Sequence, residues 1–189
     1  MPEYRRFYQP GGQYFFTVVT YERRPLLTGP LARQLLREAW KTTAARFPFR
    51  VEALCLMPDH IHCIWTLPEN DADFSVRWNQ IKSQFTKAYL RASEQTDRAQ
   101  GNRSSSRKKQ GEGTIWQRRF WEHLIRDEHD FARHVDYIHY NPVKHGLVEW
   151  AGKWRWSTFH RYLSEGLYDR EWGWVPPPSL SDFDESCEP

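Results

Sequence analysis

The sequence predicts an α+β protein in which an antiparallel sheet is backed by helices in the split βαβ arrangement. Strand-like runs and helical periodicities follow one another in the order strand, helix, strand, strand, helix, strand, helix. The two middle strands flank Met57-Pro58-Asp59, which is a turn by composition and makes them a hairpin. A chain of 189 residues suits one domain with appendages and can bury a core.

Tyr14 to Thr20 is aromatic and β-branched after a Gly11-Gly12 turn and reads as the first strand. Leu31, Leu35, Leu36 and Ala39 recur at helical spacing, so a first helix runs from Leu31 to Phe47, before Pro48. Phe49 to Leu56 and His60 to Leu67 are the hairpin strands. Val76, Ile81, Phe85 and Leu90 define a second helix over residues 72–92. Residues 93–113 carry Ser104 to Ser106, Arg107-Lys108-Lys109 and three glycines, which predicts a flexible loop. Trp116 to Ile125 is strand-like. Phe131, Val135 and Ile138 share one face of a third helix from Asp127 to about Asn141, with a short helix expected after Pro142. The division is therefore a main domain over residues 1–149, a Trp-rich extension over 150–174 and an acidic, disordered tail over 175–189.

Composition narrows the partners. Aromatics make up 16% of the chain, with 10 Trp, 9 Tyr and 11 Phe, and flat rings can fill a core or stack on bases. The net charge is +3, but the tail holds Asp182, Asp184, Glu185 and Glu188 without a Lys or Arg, leaving +7 on residues 1–174. A basic body with interleaved aromatics suits a polyanion. Cys55, Cys63 and Cys187 form no CxxC pair, and no apolar N-terminal segment has signal or membrane length, so a reduced cytoplasmic protein is expected.

Two local patterns can carry chemistry. In His60-Ile61-His62 the period of two along a strand sends both imidazoles to one side and Ile61 to the other, so the pair can grip a divalent ion from half-exposed positions. Taken alone, the pair also fits two histidines on a solvated sheet face. In Tyr137-Ile138-His139-Tyr140-Asn141-Pro142, Tyr137 and Asn141 lie one helical turn apart. A tyrosine beside a metal-bound phosphate can act as nucleophile, and an amide oxygen can join the metal's ligands. By themselves Tyr137 would read as core and Asn141 as a helix C-cap before Pro142.

The joint occurrence of Tyr4-Arg5-Arg6, Met57-Pro58-Asp59-His60-Ile61-His62, Ile81-Lys82-Ser83, Trp116 to His123 and Tyr137 to Leu147 resembles the REP-associated tyrosine transposases of the HUH single-tyrosine superfamily. The resemblance implies the ferredoxin-like fold of IS200-like transposases and a single-stranded DNA endonuclease and strand transferase. Tyr137 would be its nucleophile, forming a 5′-phosphotyrosine, with His60, His62 and Asn141 holding Mg²⁺ or Mn²⁺. Insertion-sequence members generally carry Gln where this chain has Asn141. The implied partner is a REP hairpin with a flanking tetranucleotide in single-stranded DNA, bound by a monomer or a dimer. Arg5 and Arg6, Lys82, and Arg118 and Arg119 mix charge with neighbouring rings and are candidate DNA contacts. His139 is a candidate DNA or packing contact, and Tyr140 is the next candidate nucleophile. Two other readings stay open: a hairpin-binding protein that no longer cuts, and a metal-dependent phosphoesterase that uses water.

Overall fold

The structure is a computed structural model and describes residues 7–92 and 115–181; Arg5, Arg6 and the predicted 93–113 loop lie outside these residues. Its elements are β1 (Gln13–Val19), α1 (Pro30–Arg46), β2 (Arg50–Leu56), β3 (His60–Thr66), α2 (Phe74–Ala92), β4 (Trp121–Leu124), α3 (Glu128–Lys144) and α4 (Phe159–Ser164), with short 3-10 turns at Tyr21–Arg23, Ala151–Lys153 and Pro178–Leu180. The strands pair antiparallel in the order β2-β3-β1-β4, the spatial order of a ferredoxin-like split βαβ fold.

Helices cover both faces of the sheet, which explains why β1 is apolar almost throughout rather than alternating with polar residues. Tyr14, Phe16 and Val18 of β1 join Ile61, Cys63 and Trp65 of β3 in a core with α1 and α2. Within it Trp65 stacks on Trp78 at 4.4 Å between ring centroids. Phe15 and Ile64 point the other way and pack with Ala53, Cys55, Val135, Tyr137, Ile138 and Trp154. Full burial of one such side chain contributes about 1.5–3 kcal/mol, so a two-sided central strand is a large fraction of the stability.

The C-terminal segment is part of this fold. Leu56 N donates to Trp156 O at 2.9 Å and Thr158 N to Leu54 O at 2.8 Å, so residues 156–158 run along the outer edge of β2 and satisfy its unpaired backbone groups. Of the predicted tail, residues 182–189 lie outside the described residues. Residues 178–180 form a turn held on α3, where Ser179 Oγ donates to Asp136 at 2.6 Å and Arg133 Nε donates to Ser179 O at 3.2 Å.

The end of α3 also differs from expectation. The helix continues through Pro142 to Lys144, so Asn141 is an interior position and not the cap. Proline removes one N–H, but here only two helical residues follow it. Gly146, at φ 65°, closes the helix: its N–H bonds to Val143 O and that of Leu147 to Pro142 O, each at 2.9 Å. This is the Schellman pairing, which needs the left-handed conformation that glycine adopts without strain. The Pro-Val-Lys-His-Gly run is thus a helix stop that fixes the turn bearing Asn141.

Candidate active site

β3 projects His60 and His62 toward α3 while Ile61 enters the opposite core, as the strand period predicts. The expected half-exposure is wrong, because α3 lies over the pair: His60 is 4% exposed and His62 fully buried. Tyr137 and Asn141 face them from α3. The His62 and Tyr137 rings are 5.1 Å apart, the two histidine rings 4.6 Å, and His60 Nε2 lies 3.3 Å from Asn141 Oδ1. Four residues separated by up to 81 positions in the sequence therefore meet at one buried point.

The far sides of both imidazoles are anchored. His60 Nδ1 is 2.6 Å from the carboxylate Oδ1 of Asp59, which can only accept, so the proton sits on Nδ1 and the Nε2 lone pair faces Asn141. His62 Nδ1 is 2.9 Å from Thr17 Oγ1. Outer partners of this kind orient imidazoles that bind metals. Burial, and then the nearby His60, His145, Lys144 and Arg23, hold the His62 pKa well below the usual histidine value, so its ring is neutral at pH 7.

The near sides are unsatisfied. His62 Nε2 and Asn141 Nδ2 are buried and make no hydrogen bond to a described residue. His60 Nε2 and Asn141 Oδ1 face each other as two acceptors. Rotating the amide would let Nδ2 donate to His60. It would leave His62 Nε2 orphaned still, and a buried orphan costs about 1–3 kcal/mol. Two imidazole nitrogens and an amide oxygen, each oriented and undersupplied with protons, are a donor set that fits a divalent cation.

Two side chains from the end of α3 border the site. Lys144 Nζ lies 5.3 Å from the centre of the Tyr137 ring, and the His145 ring is 5.6 Å from that of His60. Both are exposed at the helix end. Tyr140 is only half-buried and its ring makes none of these contacts; burial raises its pKa.

Family membership follows from comparison. The IS200-like transposase family matches residues 9–141. A REP-associated tyrosine transposase of Escherichia coli K12 is 46% identical over 173 residues, covering 91% of each chain. A Haemophilus influenzae protein described as a candidate member of the same group is 44% identical over 177 residues, covering 93% of this chain and 96% of its own. The chain is a REP-associated tyrosine transposase of the IS200-like family. The solved structure of a REP-associated tyrosine transposase bound to a REP hairpin superimposes with a TM-score of 0.74 at 46% identity, covering 91% of each chain. Transposases of this kind are enzymes, and the α+β architecture is shared with that structure. No described helix is long and apolar enough to cross a membrane.

The remaining predicted positions divide. Arg118 and Arg119 are exposed on the segment leading to β4 and can meet a phosphate backbone. Lys82 is committed within the protein, its ammonium donating to Gln117 O at 2.7 Å and, more weakly, to Arg118 O at 3.4 Å. It supports the arginine segment from a partly exposed position. His139 is corrected to a packing residue: it is fully buried, 3.0 Å from Tyr168 Oη through Nδ1 and 2.8 Å from Thr158 Oγ1 through Nε2. The sequence reading missed a basic groove of about 380 Å³ between α1 and the C-terminal segment, lined by Arg33, Arg37, Lys41 and Arg155 with Trp40 and Trp156. Its signal was present, since Arg33, Arg37 and Lys41 recur every four residues along α1.

Proposed function

We propose that this transposase cuts and rejoins single-stranded DNA at hairpins of the REP type, using Tyr137 as nucleophile at a divalent metal held by His60, His62 and Asn141. The observation that carries this reading is the convergence of His60 Nε2, His62 Nε2 and Asn141 Oδ1 beside the Tyr137 ring, with His62 Nε2 buried and without a hydrogen-bond partner among the described residues. The hairpin-bound relative supports the choice of substrate.

The work of the protein's own residues follows from their positions. Asp59 and Thr17 fix the two rings so that each presents Nε2 inward. Burial keeps His62 neutral and its lone pair available. Tyr137 supplies the oxygen that attacks phosphorus, giving a 5′-phosphotyrosine and a free 3′-hydroxyl; reversal by a 3′-hydroxyl restores the phosphodiester without an outside energy source. Lys144 is placed to favour the phenolate electrostatically. A bound Mg²⁺ or Mn²⁺ would polarise a non-bridging phosphate oxygen and stabilise the leaving oxygen. Since Tyr137 is 2% exposed, attack also requires its side chain to turn outward or the groups over it to part.

That burial is the observation favouring a second reading, a hairpin-binding protein without cleavage. Incubating the chain with a labelled hairpin strand and Mn²⁺ separates the two. A covalent protein–DNA band that disappears in Tyr137→Phe, with hairpin affinity retained, supports the enzyme. Binding with no band supports the second reading, and a normal band in Tyr137→Phe moves the nucleophile elsewhere.

A further inference from the structure

The first turn of α3 and the edge strand β4 bring together a second set of metal-ligand side chains, separate from the transposase site. His123 stands on β4 opposite Phe15 of β1. Asp130 and His134 lie one helical turn apart on α3. One nitrogen from each ring and one carboxylate oxygen all fall within 4.8 Å of one another. We propose that these three side chains form a binding site for a transition-metal ion of the Zn²⁺ class, which pins the start of α3 to β4.

The geometry is close to that of a bound site. His123 Nε2 is 2.8 Å from Asp130 Oδ2, and His134 Nδ1 is 3.2 Å from Asp130 Oδ1. Ligands about 2.0–2.2 Å from a tetrahedral zinc stand roughly 3.3–3.6 Å apart, so these atoms, which lie within 4.8 Å of one another, must shift by up to about 1 Å to admit the ion. The rings are stacked, 4.6 Å between centroids and 17° between planes, so one ring must tilt for both lone pairs to meet one ion. Asp127 caps the helix by accepting from Asp130 N at 2.8 Å, which fixes the turn that carries the carboxylate. His123 is partly exposed, which leaves room for water as a fourth ligand.

Existing contacts set the cost of binding. Asp130 Oδ2 also accepts from Arg126 N and Arg126 Nε, each at 3.0 Å, and His134 Nδ1 lies 2.8 Å from Asp130 O. The Arg126 side chain is 71% exposed and can swing into water, where an exposed pair contributes little. As the ion enters, the proton on His134 Nδ1 moves to Nε2 and the hydrogen bond to Asp130 O is given up. Two imidazoles and a carboxylate favour zinc, cobalt or nickel over magnesium.

The site is independent of the cutting reaction but mechanically adjacent to it. Phe15 lies between the two histidine groups, 5.6 Å from the His62 ring and 4.8 Å from that of His134. Tyr137 follows His134 by one helical turn, so an ion here would fix the segment from which the nucleophile is presented.

Metal binding alone provides the test. The full chain carrying His60→Ala and His62→Ala is titrated with Zn²⁺ against a chromophoric chelator, and with Co²⁺ by visible absorption. Retention of one equivalent, with the intense bands of tetrahedral Co²⁺, is expected, together with loss of both on adding His123→Gln. As a check that does not depend on the double variant folding, the unmutated chain should bind one equivalent more than His123→Gln alone. Absence of binding in the folded double variant, or identical stoichiometry with and without His123→Gln, overturns the proposal.

Discussion

Two of the buried histidine clusters packed on helix α3 differ in one respect. On the side facing β3, Tyr137 and Asn141 meet His60 and His62, and His62 Nε2 and Asn141 Nδ2 are left without partners. Around His139, both ring nitrogens lie within hydrogen-bond distance of hydroxyls, and Phe159, Tyr162, Tyr168 and Trp172 enclose the ring. Burial and aromatic company are common to both, so neither marks function. What separates these two is satisfaction: around His139 the ring nitrogens are paired within the fold, whereas at His60 and His62 oriented but unpaired atoms face the site.

The largest effect should come from breaking the unsatisfied cluster. His60→Ala and His62→Ala are each expected to lower adduct formation by at least about 100-fold, because a ligand to the metal that stabilises the transition state is lost. Both positions are buried, so these variants should also lose about 1–3 kcal/mol of stability. Urea unfolding alongside the cleavage assay separates the two losses. Activity that falls only in proportion to the folded fraction would erase the contrast with His139.

Asn141→Ala sharpens the comparison from within the cluster. Water can replace an amide oxygen on a metal more readily than an imidazole held by an outer carboxylate, so a smaller loss, about tenfold, is expected. Cleavage rates across a Mn²⁺ titration test this ordering; a loss larger than that of either histidine variant would make Asn141 the main ligand.

His139→Ala should act on stability alone, costing about 2–4 kcal/mol through a cavity and two stranded hydroxyls. Its pH dependence has a definite sign. Burial first, then Arg161 and His160, lower the folded pKa of His139 to about 3, from an ordinary value of 6.5. The unfolded chain therefore takes up a proton as pH falls below about 6.5 while the folded chain does not, and this histidine's contribution falls by about 1.4 kcal/mol per pH unit until about pH 3. Urea midpoints of the unmutated chain and His139→Ala should converge as pH drops from 7 to 4. Parallel curves would show that the buried ring carries no such linkage.

The smallest effect is expected at the surface. Removing Arg118 and Arg119 together should weaken binding of any single strand and reduce the slope of log affinity against log salt by about 1–2, through lost phosphate contacts. Filter binding at several salt concentrations measures it. A loss confined to one hairpin sequence would assign these arginines to base reading.

Much of this was legible in the sequence because the signals were local. The period of two through His60-Ile61-His62, the helical spacing of Tyr137 and Asn141, and the turn at Met57-Pro58-Asp59 each depend on a few adjacent residues, and the strand order follows from their succession. What was not legible depended on distant parts of the chain. The histidines were expected at half-exposed positions because nothing in residues 60–62 says that α3 will lie across them. His139 looked available for DNA because Thr158 and Tyr168, which occupy its ring nitrogens, come 19 and 29 residues later. The helix stop was read at Pro142 because proline is a strong local breaker, whereas the Schellman pairing that ends α3 is set by Gly146. The cluster of His123, Asp130 and His134 joins a strand to a helix and has no contiguous motif.

The most direct test of the distinction between paired and unpaired atoms is the Mn²⁺ concentration that gives half-maximal protein–DNA adduct, measured for the unmutated chain, His62→Gln and His139→Gln. Glutamine preserves hydrogen-bonding capacity at both sites and differs mainly as a metal ligand. The account predicts that His62→Gln raises this concentration by at least about tenfold, or abolishes the adduct, while His139→Gln leaves it unchanged. A shift in His139→Gln with none in His62→Gln would contradict it.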